Sequence, residues 1–325
     1  MRRGFTGMAM GMALVALIGS VGACGSSGGS GGDTGGDGVD KVKVGVIPIV
    51  DVAPIYLGQQ KGFFSNRDIE LTMESGQGGA AIVPGVVSGQ FQFGFSNMTS
   101  LLIAQTKNVP IKTVAAGVAS TGEAGKDFGG VMVTADSPIK TAADLAGKKV
   151  SVNTLKNIGD TTVRESVRKA GGDPRNITFV EMPFPNAPAA LADGQVDASW
   201  VVEPQLSEVK AAGGRLVASN YVDAAPDLTV AAYFTSAKLA GEDADLVKRF
   251  TEAVNESLTY AGSHPDEVRA VLGSYTKIDE KTRGAITLPK WPTEINQASV
   301  DTLAKLGAQD GIFGDATPDV AKLLP

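Results

Sequence analysis

Apolar positions along this chain follow two periods, and the switches between them mark out its elements. Val42, Val44 and Val46 alternate with polar residues and lead into Ile47, the pattern of a strand with a buried face. Asp51, Pro54 and Gly62 then bracket a run with helical spacing, Pro54 near its first turn and Gly62 at its stop. The unit recurs. Residues 69–74 read as a strand, 76–79 as a glycine-rich turn, 80–87 as a short helix interrupted by Pro84, 91–95 as a third strand, and 98–105 as a helix preceded by Ser96 and Asn97. Further on, 149–152 and 177–182 read as strands, 159–170 and 187–191 as helices, and 129–134 and 228–235 as β-like runs. After residue 235 the period turns helical, in 244–260 and 295–306. Strand and helix in alternation predict an α/β fold built on wound sheets.

Two stretches echo one another. Val87-Ser88-Gly89-Gln90-Phe91 and Leu191-Ala192-Asp193-Gly194-Gln195-Val196 both read as helix end, glycine stop, glutamine, strand, with glycines at 89 and 194. Glycine suits such stops because it takes the left-handed conformation at least cost. Carrying the offset forward sets Ser96-Asn97-Met98 opposite Val201-Val202-Glu203, so two similar halves would present matching strand ends to a cleft.

The N-terminal pattern is of another kind. Arg2 and Arg3, an apolar run over 8–21, and the small pair Gly22 and Ala23 follow the order of a signal peptide, here residues 1–23. The run is shorter than the roughly 20 apolar residues that span a bilayer. Residues 25–38 contain only Gly, Ser, Asp and Thr, a flexible coil whose ends lie roughly 20 Å apart. Without residues 1–24 the chain carries 27 basic and 35 acidic residues, a net charge of −8, which gives no nucleic-acid footprint. One cysteine excludes an intramolecular disulfide, and one histidine leaves no Ser/His/Asp set; no metal-spaced cluster is present. No cofactor, metal or catalytic residue is expected.

Valine, glycine, alanine and cysteine at 21–24 resemble a bacterial lipobox, which implies that Cys24 is lipidated and becomes the N-terminus. The body resembles the substrate-binding proteins of ABC importers, in the group that includes nitrate, sulfonate, taurine and thiamine-pyrimidine binders. The residues that carry the resemblance are Val44-Gly45-Val46, Ala53-Pro54-Ile55-Tyr56-Leu57-Gly58, Lys61-Gly62-Phe63-Phe64, Ser88-Gly89-Gln90 with Phe93-Gly94, Asp144-Leu145-Ala146-Gly147-Lys148-Lys149-Val150, and Ala189-Ala190-Leu191 through Gly194-Gln195-Val196-Asp197-Ala198 to Glu203-Pro204. The resemblance implies a two-lobed type II periplasmic-binding-protein fold, each lobe a wound sheet with flanking helices. Lobe 1 would take 41–134 plus 229–325 and lobe 2 would take 135–228, with 24–40 as lipidated cysteine and linker. The runs 129–134 and 228–235 are then the candidate hinges.

In open α/β sheets ligands sit at the C-terminal ends of the strands. That rule selects Asp51, Tyr56, Gln77, Ser96, Asn97 and Phe128 in lobe 1, and Asn153, Asp160, Thr161, Phe184 and Glu203 in lobe 2. Asp51 and Glu203 serve equally as helix caps. Phe184 is pinned between Pro183 and Pro185, whereas Trp200 alternates with Ala198 and Val202 and reads as core. A carboxylate at the cleft, Glu203 above all, opposes a simple oxyanion and favours a ligand with an amine, amidine, aminopyrimidine or several hydroxyl groups, whereas a capping Glu203 reports nothing about the ligand, so sulfonate, amine-bearing and aminopyrimidine-like solutes all stay open. The implied role is capture of a small solute at the outer face of the cytoplasmic membrane by a lipid-anchored monomer, and its delivery to an ABC permease with its ATPase. A ligand-sensing lipoprotein would use the same cleft. Pyrimidine-synthesising enzymes share the fold, but their chemistry leans on histidine and cysteine around iron and a reactive lysine.

Overall fold

The computed structural model describes residues 38–324; Cys24, the leader and most of the linker lie outside them. Ten strands divide between two sheets. The chain lays down β1 (Asp40–Val46), β2 (Ile69–Ser75), β3 (Phe93–Asn97) and β4 (Ile111–Ala119), then β5 (Gly129–Val133), β6 (Lys149–Val152), β7 (Thr178–Glu181), β8 (Ala198–Val202) and β9 (Arg215–Ala218), and finally β10 (Thr229–Ser236). The first sheet has the order β2-β1-β3-β10-β4 and the second β7-β6-β8-β5-β9. In each, the first three strands are parallel and the fourth is antiparallel to its neighbour. The two sheets are one plan used twice.

That repetition gives the echo a structural basis. Gly89 and Gly194 both hold positive φ, +81° and +68°, where a helix stops and the chain turns into β3 or β8. Behind each glycine the same tie recurs. Gln92 donates its N–H to the Lys43 carbonyl and accepts the Lys43 N–H on its side chain at 2.8 Å, while Asp197 does both with Lys149, also at 2.8 Å.

The crossings between sheets lie earlier than expected at one end. β5 pairs only with β8 and β9, so the chain has entered the second half by Gly129 rather than at 135, and all but the last residue of the candidate hinge 129–134 is a strand of that half. The connecting segments are 120–128 and 219–228. They run side by side, the Ser120 N–H donating to the Leu228 carbonyl. β10 then returns to the first sheet, so the other candidate hinge, 228–235, is likewise almost wholly strand. Pro84 does not end its helix, which continues over Gly79–Val87. The helix Ala244–Ser263 braces the first sheet, with Phe250 stacked on Phe93 at 3.7 Å between ring centroids.

Candidate functional site

Both sheets aim the C-terminal ends of their parallel strands at one narrow cavity of about 20 Å3, room for about one water molecule, so a solute is admitted only when the two halves part. From the first half come Ile47, Ile49 and Asp51 just past β1, and Phe95 and Asn97 in β3; Val230 and Ala231 of β10 form part of the wall. From the second come Asn153 just past β6, Ile158, Phe184, Trp200 and Val202 of β8, and Tyr221. A larger outer depression, about 650 Å3, lies between Gln297, Lys305 and Asp319, but it is open and gathers no buried, unpartnered polar atom.

The interlobe cavity gathers three. Asp51 Oδ1, Asn153 Oδ1 and the Trp200 indole Nε1 are each buried and lack any hydrogen-bond partner. Buried polar groups without partners are uncommon and costly, typically by about 1–3 kcal/mol each. Asp51 sits in the single turn Val50–Val52, 3% exposed, and caps nothing: the N-cap of the following helix, Ala53–Gln60, is Val52, which makes no side-chain cap bond. Its main-chain carbonyl accepts the Trp291 indole N–H at 3.1 Å, which fixes the turn. Burial pushes the Asp51 carboxyl up to about 7, aided by the negative charge of Asp127 and opposed by a backbone hydrogen bond. Asp127 itself is well served, by the Ser120 hydroxyl at 2.6 Å and the N–H groups of Thr121 and Phe128.

Aromatic rings give the cavity its walls. Phe184 meets Trp200 at 5.3 Å and Trp200 meets Tyr221 edge-on at 6.1 Å, with Phe128 behind Tyr221 at 5.4 Å. Trp200 can lie against the helix Ile158–Lys169 only because residue 159 is glycine; a Cβ there would fall 2.6 Å from the indole ring.

Of the eleven expected residues, Asp51, Asn97, Asn153 and Phe184 line the cavity. Asn97 also caps the helix Met98–Thr106, accepting the Ser100 N–H at 2.9 Å. The other seven lie elsewhere. Tyr56 stacks on Tyr275 at 4.0 Å, Gln77 is exposed, Ser96 is buried against the start of the Gly79–Val87 helix, and Phe128 only backs Tyr221. Asp160 and Thr161 are buried in the first turn of the Ile158–Lys169 helix. Asp160 accepts the Lys156 N–H at 3.1 Å, and burial raises its carboxyl to about 6. Glu203 is fully buried and spent on structure. Its carboxylate accepts the Ser207 N–H at 3.0 Å and hydroxyl at 2.9 Å, and the Thr287 N–H at 3.1 Å. Desolvation raises that carboxyl to about 7 despite those donors. Those bonds tie the first turn of the helix Gln205–Ala211, whose N-cap is Pro204, to the chain at Thr287. Trp200 and Tyr221 were not among the expected site residues: Trp200 reads as core by alternation, and Tyr221 arrives on the five-residue helix Asn220–Ala224, which carries no sequence signal of its own.

Comparison with known proteins places this geometry. The model of one family, described as NMT1/THI5 like, matches residues 49–268, more than half the chain. The chain belongs to the NMT1/THI5-like family. A Bacillus subtilis protein named as a binder of aliphatic sulfonates is 22% identical over 289 residues, 87% of this chain and 83% of that one. The formylaminopyrimidine-binding protein of Halalkalibacterium halodurans is 21% identical over 264 residues, 80% and 75% of the two chains. A 4-amino-5-hydroxymethyl-2-methylpyrimidine phosphate synthase of Aspergillus parasiticus is 25% identical, but over 152 residues, 46% of this chain and 42% of its own. Among solved structures, the alkanesulfonate-binding protein SsuA from Xanthomonas axonopodis pv. citri bound to MOPS superposes with a TM-score of 0.70 at 18% identity, covering 87% of this NMT1/THI5-like chain and 96% of SsuA. The periplasmic nitrate-binding protein NrtA from Synechocystis PCC 6803 gives 0.71 at 15%, covering 85% and 83%. This likeness is one of fold, the two-lobed periplasmic-binding-protein fold.

Proposed function

We propose that this protein is the solute-capturing component of an ABC importer, holding a small organic molecule in the cavity between its two halves. The observation that carries the reading is the convergence of three unpartnered polar atoms, on Asp51, Asn153 and Trp200, at the strand ends of both sheets. A ligand that bonds to atoms of both halves stabilises their closed arrangement by its differential affinity, and closure is what a permease would read. The site set is Asp51, Asn97, Asn153, Phe184, Trp200 and Tyr221. Cys24 serves as lipid anchor on the outer face of the cytoplasmic membrane, and the partners are a permease and its ATPase.

The distant likeness to a pyrimidine phosphate synthase raises an enzymatic reading, and the position of His264 argues against it. The ring stacks on Tyr260 at 3.7 Å with Nδ1 against the Tyr260 carbonyl, between the helices Ala244–Ser263 and Pro265–Tyr275 and away from the cavity. A thermal-shift panel of sulfonates, taurine, nitrate, aminopyrimidines and amines tests the binding reading. One class should raise the melting point progressively with concentration, by about 2.7 kcal/mol of added stability at a hundredfold excess over Kd. No rise with any class at millimolar concentration would contradict it.

A further inference from the structure

The polarity of the cavity is one-sided. Its two fully buried, unpartnered acceptors are Asp51 Oδ1 from the first half and Asn153 Oδ1 from the second, and its one fully buried, unpartnered donor is a neutral indole N–H. Among the described residues, neither lysine nor arginine lines it. Behind Asp51 stands a second carboxylate, Asp127, whose oxygens are occupied by their own donors, so no cation from the protein offsets the pair. Apart from the Asn97 amide and the Tyr221 hydroxyl, both neutral, the rest of the lining is apolar or aromatic, with the rings of Phe95, Phe184, Trp200 and Tyr221 around it. A buried carboxylate in an aromatic-walled cavity attracts positive charge through the ion pair, and a cation seated over a ring face gains from the ring quadrupole as well.

Resting on the reading of this cavity as the ligand site, we infer that the protein captures a small organic cation bearing N–H donors, an amine, amidine or protonated aminoheterocycle, with Asp51 as its counter-ion. An oxyanion such as a sulfonate or nitrate is disfavoured here. It would sit beside an unpaired carboxylate and would find only neutral donors, an indole N–H, amides and a hydroxyl, where it needs charged ones. The inference moves to Asp51 the charge-recognition role that the sequence assigned to Glu203, whose carboxylate is already bonded to Ser207 and Thr287. Raised toward neutrality in the empty site, the Asp51 carboxyl would ionise fully once a cation stands beside it.

The test is calorimetric titration of the full chain and of Asp51→Asn at pH 8, with benzamidine and 4-aminopyridine as cationic probes and butanesulfonate and nitrate as anionic ones. Saturable one-to-one binding of a cationic probe, weakened at least about tenfold in Asp51→Asn, is the expected result. The substitution is isosteric and removes a buried, unpartnered charge, so the variant should melt no lower than the parent at that pH. The contrast between the two probe classes on the unaltered protein needs no variant at all. Binding of butanesulfonate or nitrate that is unchanged or tightened by Asp51→Asn, with no cation bound, overturns the cation inference and leaves the cavity reading intact. An absence of saturable binding in both classes overturns the inference together with the reading beneath it.

Discussion

Asp51 carries a cost in the empty protein that only a ligand or a proton relieves. Burial raises its carboxyl from 3.8 to about 7, and burial likewise raises Asp160 to about 6 and Glu203 from 4.5 to about 7. In all three the folded-state value exceeds the unfolded one, so the unfolded chain ionises first as pH rises. Stability is therefore full below about pH 4 on this account and is lost progressively up to about pH 7. The oppositely shifted carboxylates, such as Asp173 held at about 2 beside Arg175, act below that window. The ligand-free protein should melt higher at pH 5 than at pH 8, and Asp51→Asn should flatten the difference; a melting point that rises between those values would contradict the assignment. Gly159→Ala is a second prediction at this scale. Its new methyl meets the Trp200 ring, so overpacking should cost about 1–3 kcal/mol in urea unfolding and displace the indole into the cavity. Asp51 was legible in the sequence as a polar group just past a strand. Trp200 was not, because β8 is buried along its whole length and its two faces look alike from alternation.

Elements were easier to read than their edges. β6 and the helices after β3 and β6 fall within one residue of their expected bounds because glycine stops and cap residues mark them. β3 begins two residues later than its apolar run, at Phe93, since Phe91 turns to pack against Gly45 and Gly85 before pairing starts. The hinge was misplaced for a related reason. A continuous apolar run such as 129–133 is what any strand buried on both faces looks like, and nothing local says which sheet it joins. Glu203 shows the same limit for a side chain. An acid just before proline at a strand end fits both a cap and a ligand contact, and only Thr287, 84 residues away, decides between them. Glu203→Ala should therefore lower stability by about 1–3 kcal/mol, by stranding the Ser207 and Thr287 donors. It should leave ligand affinity nearly unchanged once the protein is folded, and a large affinity loss without a stability loss would return Glu203 to the site.

At the scale of the molecule the halves meet at more than the cavity. Asn157, at the start of the Ile158–Lys169 helix, donates to the Ser100 hydroxyl at 2.9 Å, and Arg168 at the other end pairs with Asp310 at 2.7 Å, just past the helix Gln297–Gln309. The Asp310 side chain is 6% exposed, so this pair is less screened than a surface one. Asp310→Asn should remove about 1 kcal/mol of preference for the closed arrangement, seen as a few-fold faster ligand dissociation with little change in melting point. The alternation of elements was present in the sequence as periodicity and glycine stops, and the short echo matched the doubled sheet plan, whereas the two-lobed fold was implied by the family resemblance. Which strand ends share one cavity was not, because that depends on how two halves are set against each other. The chain holds only two tryptophans, and both report on the cavity: Trp200 lines it and Trp291 is bonded to the Asp51 carbonyl behind it. Intrinsic fluorescence titration with the solute panel therefore tests most directly whether a small molecule is held there. A saturable, one-to-one change in emission that Trp200→Phe reduces and Asp51→Asn weakens is the predicted result, whereas a solute that binds by calorimetry without altering either tryptophan would place the site somewhere else.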